Sequence, residues 1–186
     1  MDSHKQLTLA FLTPGSNDHW VNRMAALASR GYCHAELIFD SHTAPHTNKS
    51  LAFSVQAGES VRLKGKSFKN PRYEFVTLMV TPEEYDAALQ FASTASQRNI
   101  AFSNLDMTLS LVHPGACTHR PSTAMGRSFC SKIIAEAMQA AGCPEATLAC
   151  PSSTTPGSLH AMVSDSSRKI STCIKFRKDT YQLKIP

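Results

Sequence analysis

The stretch Tyr32-Cys33-His34-Ala35-Glu36-Leu37-Ile38-Phe39 constrains this chain more than any other. In an extended strand successive side chains point to opposite faces, so Cys33, Ala35, Leu37 and Phe39 make one wholly apolar face. Such a face has to be buried against a second layer. The other face carries His34 and Glu36 at i, i+2, a spacing at which a carboxylate can orient an imidazole. That makes His34 a candidate general base. The plainer alternative is the solvated side of an ordinary amphipathic strand.

A helix can supply the second layer. Cys130, Ile133, Ile134, Ala137, Met138 and Ala141 recur at i, i+3, i+4, i+7, i+8 and i+11, and Gly142 can close the helix in the left-handed conformation. Cys130 falls in the first turn, where unpaired backbone N–H groups and the helix dipole favour a thiolate. The same N–H groups suit a developing oxyanion. Taken alone, a cysteine on an apolar stripe reads as small core filler. A thiol at a helix start, an imidazole on a strand and an acid beside it are nevertheless the parts of thiol acyl transfer, here in the chain order His, Glu, Cys.

Elsewhere, residues 7–12 suit a strand and 13–16 a turn. A helix capped by Asn17 or Asp18 should carry Trp20, Met24, Leu27 and Ala28 at helical spacing and stop at Gly31. After a polar loop over 40–49, segments 51–56, 60–63 and 73–80 read as an antiparallel meander, with turns at 57–59 and 70–71. Thr81-Pro82-Glu83-Glu84 predicts a helix opening on a capping box, with Tyr85, Ala88, Leu89 and Ala92 toward the core. Residues 100–127 read as a long irregular loop or lid that lines the site. Residues 144–153 read as irregular, Thr155-Pro156 as the start of a short helix reaching Val163, and 170–176 as a strand. Length, 186 residues, and a 42% hydrophobic content suit one domain over 1–186 with one core.

His34-Ala35-Glu36, then strands and a helix over 51–98, then Phe129-Cys130-Ser131 resemble the permuted branch of the NlpC-type papain-like superfamily. That branch includes bacterial hydrolases, relatives of lecithin:retinol acyltransferase and poxviral proteins, and its His strand precedes its Cys helix. Ile100-Ala101-Phe102-Ser103 and Thr155-Pro156-Gly157-Ser158-Leu159 echo two further elements, with Phe102 where a Tyr is usual, so the resemblance covers residues 30–163. It implies an α+β, circularly permuted papain-like fold, with an antiparallel β-meander or barrel packed against the nucleophile-bearing helix. It also implies a cysteine hydrolase or acyltransferase. Cys130 would attack a peptide, isopeptide or lipid-acyl carbonyl, His34 would take and return the proton, and Glu36 would orient His34, with no cofactor and no metal.

Six cysteines, at 33, 117, 130, 143, 150 and 173, lack the dense spacing of small secreted domains, which favours reduced thiols. Cys33-His34 and Cys117-Thr118-His119 hint at zinc, but no Cys-x-x-Cys pair accompanies them and no metal site is expected. His113 and His119, in the 100–127 segment, are kept out of the catalytic set. The net charge is +5, with basic residues grouped at Lys64, Lys66, Lys69 and Arg72 and again at Arg168, Lys169, Lys175, Arg177, Lys178 and Lys184. These imply a weak attraction to anionic surfaces rather than specific nucleic-acid recognition. No run approaches the roughly 20 apolar residues of a membrane span and the first six residues are polar, so a soluble, cytoplasmic protein is expected. The competing functions are a non-catalytic papain-like binding or host-interaction module with a basic face, and a basic phosphate-binding protein.

Overall fold

The computed structural model describes residues 4–39, 50–112 and 120–173. Its strands are β1 (Lys5–Leu12), β2 (His34–Phe39), β3 (Ser50–Ser54), β4 (Arg62–Lys66), β5 (Tyr73–Val80), β6 (Ala101–Phe102), β7 (Arg127–Ser128) and β8 (Lys169–Cys173). Its helices are α1 (Trp20–Ala28), α2 (Pro82–Gln97), α3 (Asn104–Val112), α4 (Ser122–Met125), α5 (Cys130–Ala140), α6 (Pro144–Thr147) and α7 (Pro156–Ser164), with a 3-10 turn at Pro151–Ser153. The chain is a mixed α+β domain built on a six-stranded antiparallel sheet in the order β4-β3-β2-β1-β5-β8. Among the described residues no helix is long and apolar enough to cross a membrane.

The expected meander is only half realised. β2, β3 and β4 run consecutively, but β5 crosses back to pair with β1, Leu9 opposite Val76, and not with β4. The sheet is also open, with β4 and β8 as its edges, where a barrel was an alternative. Both faces of its centre are buried. Leu7, Leu9 and Phe11 of β1, Ala35, Leu37 and Phe39 of β2, and Val76, Leu78 and Val80 of β5 share the main core with α2, α5 and α7. The reverse face carries a smaller cluster of Ala10, Ile38, Ala52, Tyr73 and Phe75, closed by Phe68 from the β4–β5 connection. The face of β2 that could have been solvated is therefore covered, and Glu36 lies within it at 2% exposure.

Helix boundaries follow local chemistry where caps exist. Thr81 caps α2 in a full capping box with Glu84, and Thr155 does the same for α7 with Ser158. Tyr85, Ala88 and Ala92 of α2 are buried, and Leu89 packs against the core partly exposed. The cap of α1 is His19, not Asn17 or Asp18, because Asp18 is drawn to Arg72. Its buried side chains are the small Ala25 and Ala26, while Trp20, Met24 and Leu27 face outward.

Two segments read as irregular are built from defined elements. Residues 100–127 hold β6, α3, α4 and the start of β7, tied together by the parallel β6–β7 pair and by Val61 N–H donating to Ile100 O at 2.8 Å. Residues 144–153 hold α6 and the 3-10 turn, which packs on α5 and α3. The expectations for 40–49, His113, Cys117, His119 and the strand beyond Cys173 lie outside the described residues. α5 is consequently enclosed on all sides, with Cys130 through Met138 all buried. Its polar side chains find partners there, with Ser131 Oγ donating to Thr154 O at 2.6 Å, Lys132 Nζ to Arg120 O at 3.2 Å, and Glu136 Oε1 accepting from Ser122 N–H at 3.0 Å while Glu136 Oε2 has no hydrogen-bond partner.

Candidate active site

Cys130 is the first residue of α5. Phe129 before it provides no side-chain cap, so the first-turn N–H groups remain free to serve the thiol, and that of Ser131 does. A second donor comes from the sheet. β3 pairs with β2 only from Leu37 onward, leaving Ala35 outside that ladder. Its carbonyl accepts from Ser54 Oγ at 2.7 Å and its N–H turns to the sulfur. The helix start is thus set against the frayed edge of the very strand that bears His34.

The thiol of Cys130 and the imidazole of His34 lie close enough for each to act on the other's protonation. On the other side of the ring, His34 Nε2 lies 3.4 Å from Glu36 Oε1, an electrostatic contact in which Nε2 makes no well-aligned hydrogen bond. All three residues named from the sequence are therefore together: Cys130 is 4% and Glu36 2% exposed, and the His34 side chain 12%.

Glu36 has two further partners, which the sequence reading missed. Tyr73 Oη donates to Glu36 Oε1 at 2.8 Å, and Lys66 Nζ, itself 3.0 Å from Tyr73 Oη, bonds the same oxygen. Lys66 had been counted as part of a basic surface cluster. Arg72 of the same group pairs with Asp18 at 2.6 Å, and Arg168 of the second basic group with Glu84 and Glu145 at 2.7 and 2.6 Å, so part of the basic charge is spent internally.

The electrostatics follow from these contacts. Burial is the largest influence on Cys130 and opposes a thiolate, yet the His34 bond and charge and the two backbone N–H groups outweigh it and hold the thiol below its ordinary value. Burial likewise opposes the imidazolium of His34, but the bond to Cys130 and then the Glu36 carboxylate push it up to about 9. Glu36, despite its burial, is brought down to about 2 by His34 and Lys66. These directions favour a thiolate–imidazolium pair beside an ionised carboxylate. Neighbouring Cys33 behaves oppositely, pushed up to about 11 by burial and by the negative charge of Cys130.

A small, largely apolar pocket of about 10 Å³, room for roughly one water, is lined by Cys130 together with Ala25 of α1, Cys33, Met107 and Leu111 of α3, Phe129 and Pro156. The expected lid is thus in part the helix α3. Among the described residues no group of three His, Cys, Asp or Glu side chains is arranged to hold a metal ion. The expectation of fully reduced cysteines needs correction: Cys33, Cys130 and Cys143 are free, but Cys150 is in a disulfide. Local spacing could not show this, because a disulfide depends on how distant segments meet.

The chain matches no family model, no curated protein and no solved structure.

Proposed function

We propose that this protein is a cysteine hydrolase or acyltransferase of the circularly permuted papain-like class, with Cys130 as nucleophile, His34 as general base and acid, and Glu36 as the group that orients His34. The observation that carries this reading is the convergence, in one buried site, of Cys130 at the start of α5 with His34 and Glu36 of β2, His34 Nε2 lying 3.4 Å from Glu36 Oε1 and His34 and Cys130 each acting on the other's protonation. The thiolate adds to the carbonyl carbon of an amide, ester or thioester, and first-turn N–H groups of α5 stabilise the oxyanion. Collapse breaks the bond to the leaving group, which takes the proton from the His34 imidazolium. Neutral His34 then deprotonates water, or an acceptor alcohol or amine, which attacks the acyl-enzyme and releases the thiolate. Peptide, isopeptide and lipid-acyl bonds all fit this chemistry.

The test needs no substrate. A small alkylating reagent is applied at pH 7 and the labelled cysteines are mapped by mass spectrometry. An ordinary thiol is only a few per cent ionised there, so Cys130 should react about tenfold or more faster than Cys33 and Cys143, and His34→Ala should abolish the difference. Equal or slower labelling of Cys130 in the folded protein would decide for a fold that serves as a binding module.

A further inference from the structure

Two helices that wall the Cys130 pocket turn large apolar side chains outward. On α1, Trp20, Met24 and Leu27, at i, i+4 and i+7, are 67%, 55% and 80% exposed, while Ala25 on the same helix lines the pocket. On α3, Leu105 and Leu109, at i and i+4, are 59% and 48% exposed, while Met107 and Leu111 line the pocket. Each helix thus lines the pocket with part of its surface and turns large apolar side chains to solvent with another.

We infer that α1 and α3 form a docking surface for an anionic lipid bilayer and set the mouth of the Cys130 pocket at the membrane surface. Charge selects this occupant. The acids of the region are already matched within the chain, Asp18 with Arg72 and Asp106 with Arg127. Arg23 within α1 and Arg30 just beyond it are exposed and form no ion pair among the described residues. The uncompensated charge beside the apolar stripe is therefore positive. A second copy of the chain meeting this patch through a two-fold axis would bring the arginines together with no acid between them. Lipid phosphates and carboxylates would instead pair with the arginines while the acyl boundary takes the leucines, and an indole prefers that boundary zone. What the surface would deliver to Cys130, a lipid-acyl carbonyl, rests on the proposed chemistry; the docking itself does not.

Trp20 is the only tryptophan of the chain, so its fluorescence reports on this surface alone. The full chain is titrated with vesicles of phosphatidylcholine and phosphatidylserine, with phosphatidylcholine alone, and with brominated lipids. Anionic vesicles should move Trp20 emission to shorter wavelength, brominated lipid should quench it, and added salt should reverse both. Arg23→Gln and Arg30→Gln should each weaken partitioning about fivefold. Leu27→Ser should weaken it about tenfold, and Lys64→Gln on the distant edge strand β4 should leave it unchanged. Emission indifferent to anionic vesicles overturns the inference, as does a shift that follows protein concentration without vesicles, which would assign the face to a second copy. Cys130 plays no part in this readout. A quenched Trp20 beside an inert Cys130 would leave the docking standing and end the proposed chemistry, and a reactive Cys130 with an indifferent Trp20 would do the reverse.

Discussion

Glu36 serves more than one cation through one oxygen. Oε1 faces His34 Nε2 at 3.4 Å while accepting from Tyr73 and Lys66. Lys66 and Tyr73 come from strands two places away on either side of β2 and converge over it. This is why they were illegible while His34, Glu36 and Cys130 were not: alternation along one strand and position in one helix turn are local patterns, whereas convergence across five strands is not. Lys66 draws off part of the negative charge that would otherwise fall on His34, which gives opposite expectations for two variants. Followed by NMR, the His34 titration near pH 9 should drop in Glu36→Gln and rise in Lys66→Met. Lys66→Met should also lose about 2 kcal/mol of stability, the usual worth of a hydrogen bond to a charged group. An unmoved titration in Glu36→Gln would remove Glu36 from the site.

Among the elements, those with terminal chemistry of their own were readable and those defined by packing were not. Thr81-Pro82-Glu84 and Thr155-Pro156 announced α2 and α7, and the stripe from Cys130 to Ala141 announced α5. α3 announced nothing, since Leu105, Met107, Leu109 and Leu111 alternate like a strand. It forms a helix because Ser103 Oγ accepts from Asp106 N–H at 3.1 Å and the 3-10 turn packs against it. Coiling an alternating sequence necessarily puts apolar residues on two sides, Met107 and Leu111 toward the pocket and Leu105 and Leu109 toward solvent. α7 meets the end of α1 closely enough to test. Gly157 N–H donates to Ser29 Oγ at 2.7 Å, and a Cβ on Gly157 would lie 2.1 Å from the Ser29 carbonyl oxygen. Gly157→Ala should therefore force the helices apart at a cost of about 1–3 kcal/mol in denaturant unfolding. It should also slow alkylation of Cys130, because neighbouring Pro156 walls the pocket.

At the scale of the whole molecule, the order of the sheet was hidden because pairing β5 with β1 depends on which surfaces the helices leave open, not on any pattern within 73–80. The same long-range pairings set how stability responds to pH. Asp18, Glu36, Glu74 and Glu145 are all held below their ordinary values, so each contributes stability that is present above its unfolded value and lost as pH falls through the folded one. Glu136 opposes them, because burial raises it and acidification favours its folded, neutral form. Four act against one, and the fold should weaken progressively below about pH 4.5. On the alkaline side Cys33 and Cys143, each pushed up to about 11, favour folding while protonated and cease to do so as pH climbs from about 9 toward that value. Thermal unfolding against pH should trace a dome with both flanks. Glu36→Gln isolates one group on the acid flank: its midpoint should change less between pH 4.5 and 2 than that of the unaltered protein, since the carboxylate responsible for that part of the fall is gone. If the two acid flanks instead run parallel, Glu36 carries no proton-linked stability, and the ionised acid on which the orientation of His34 depends is not there.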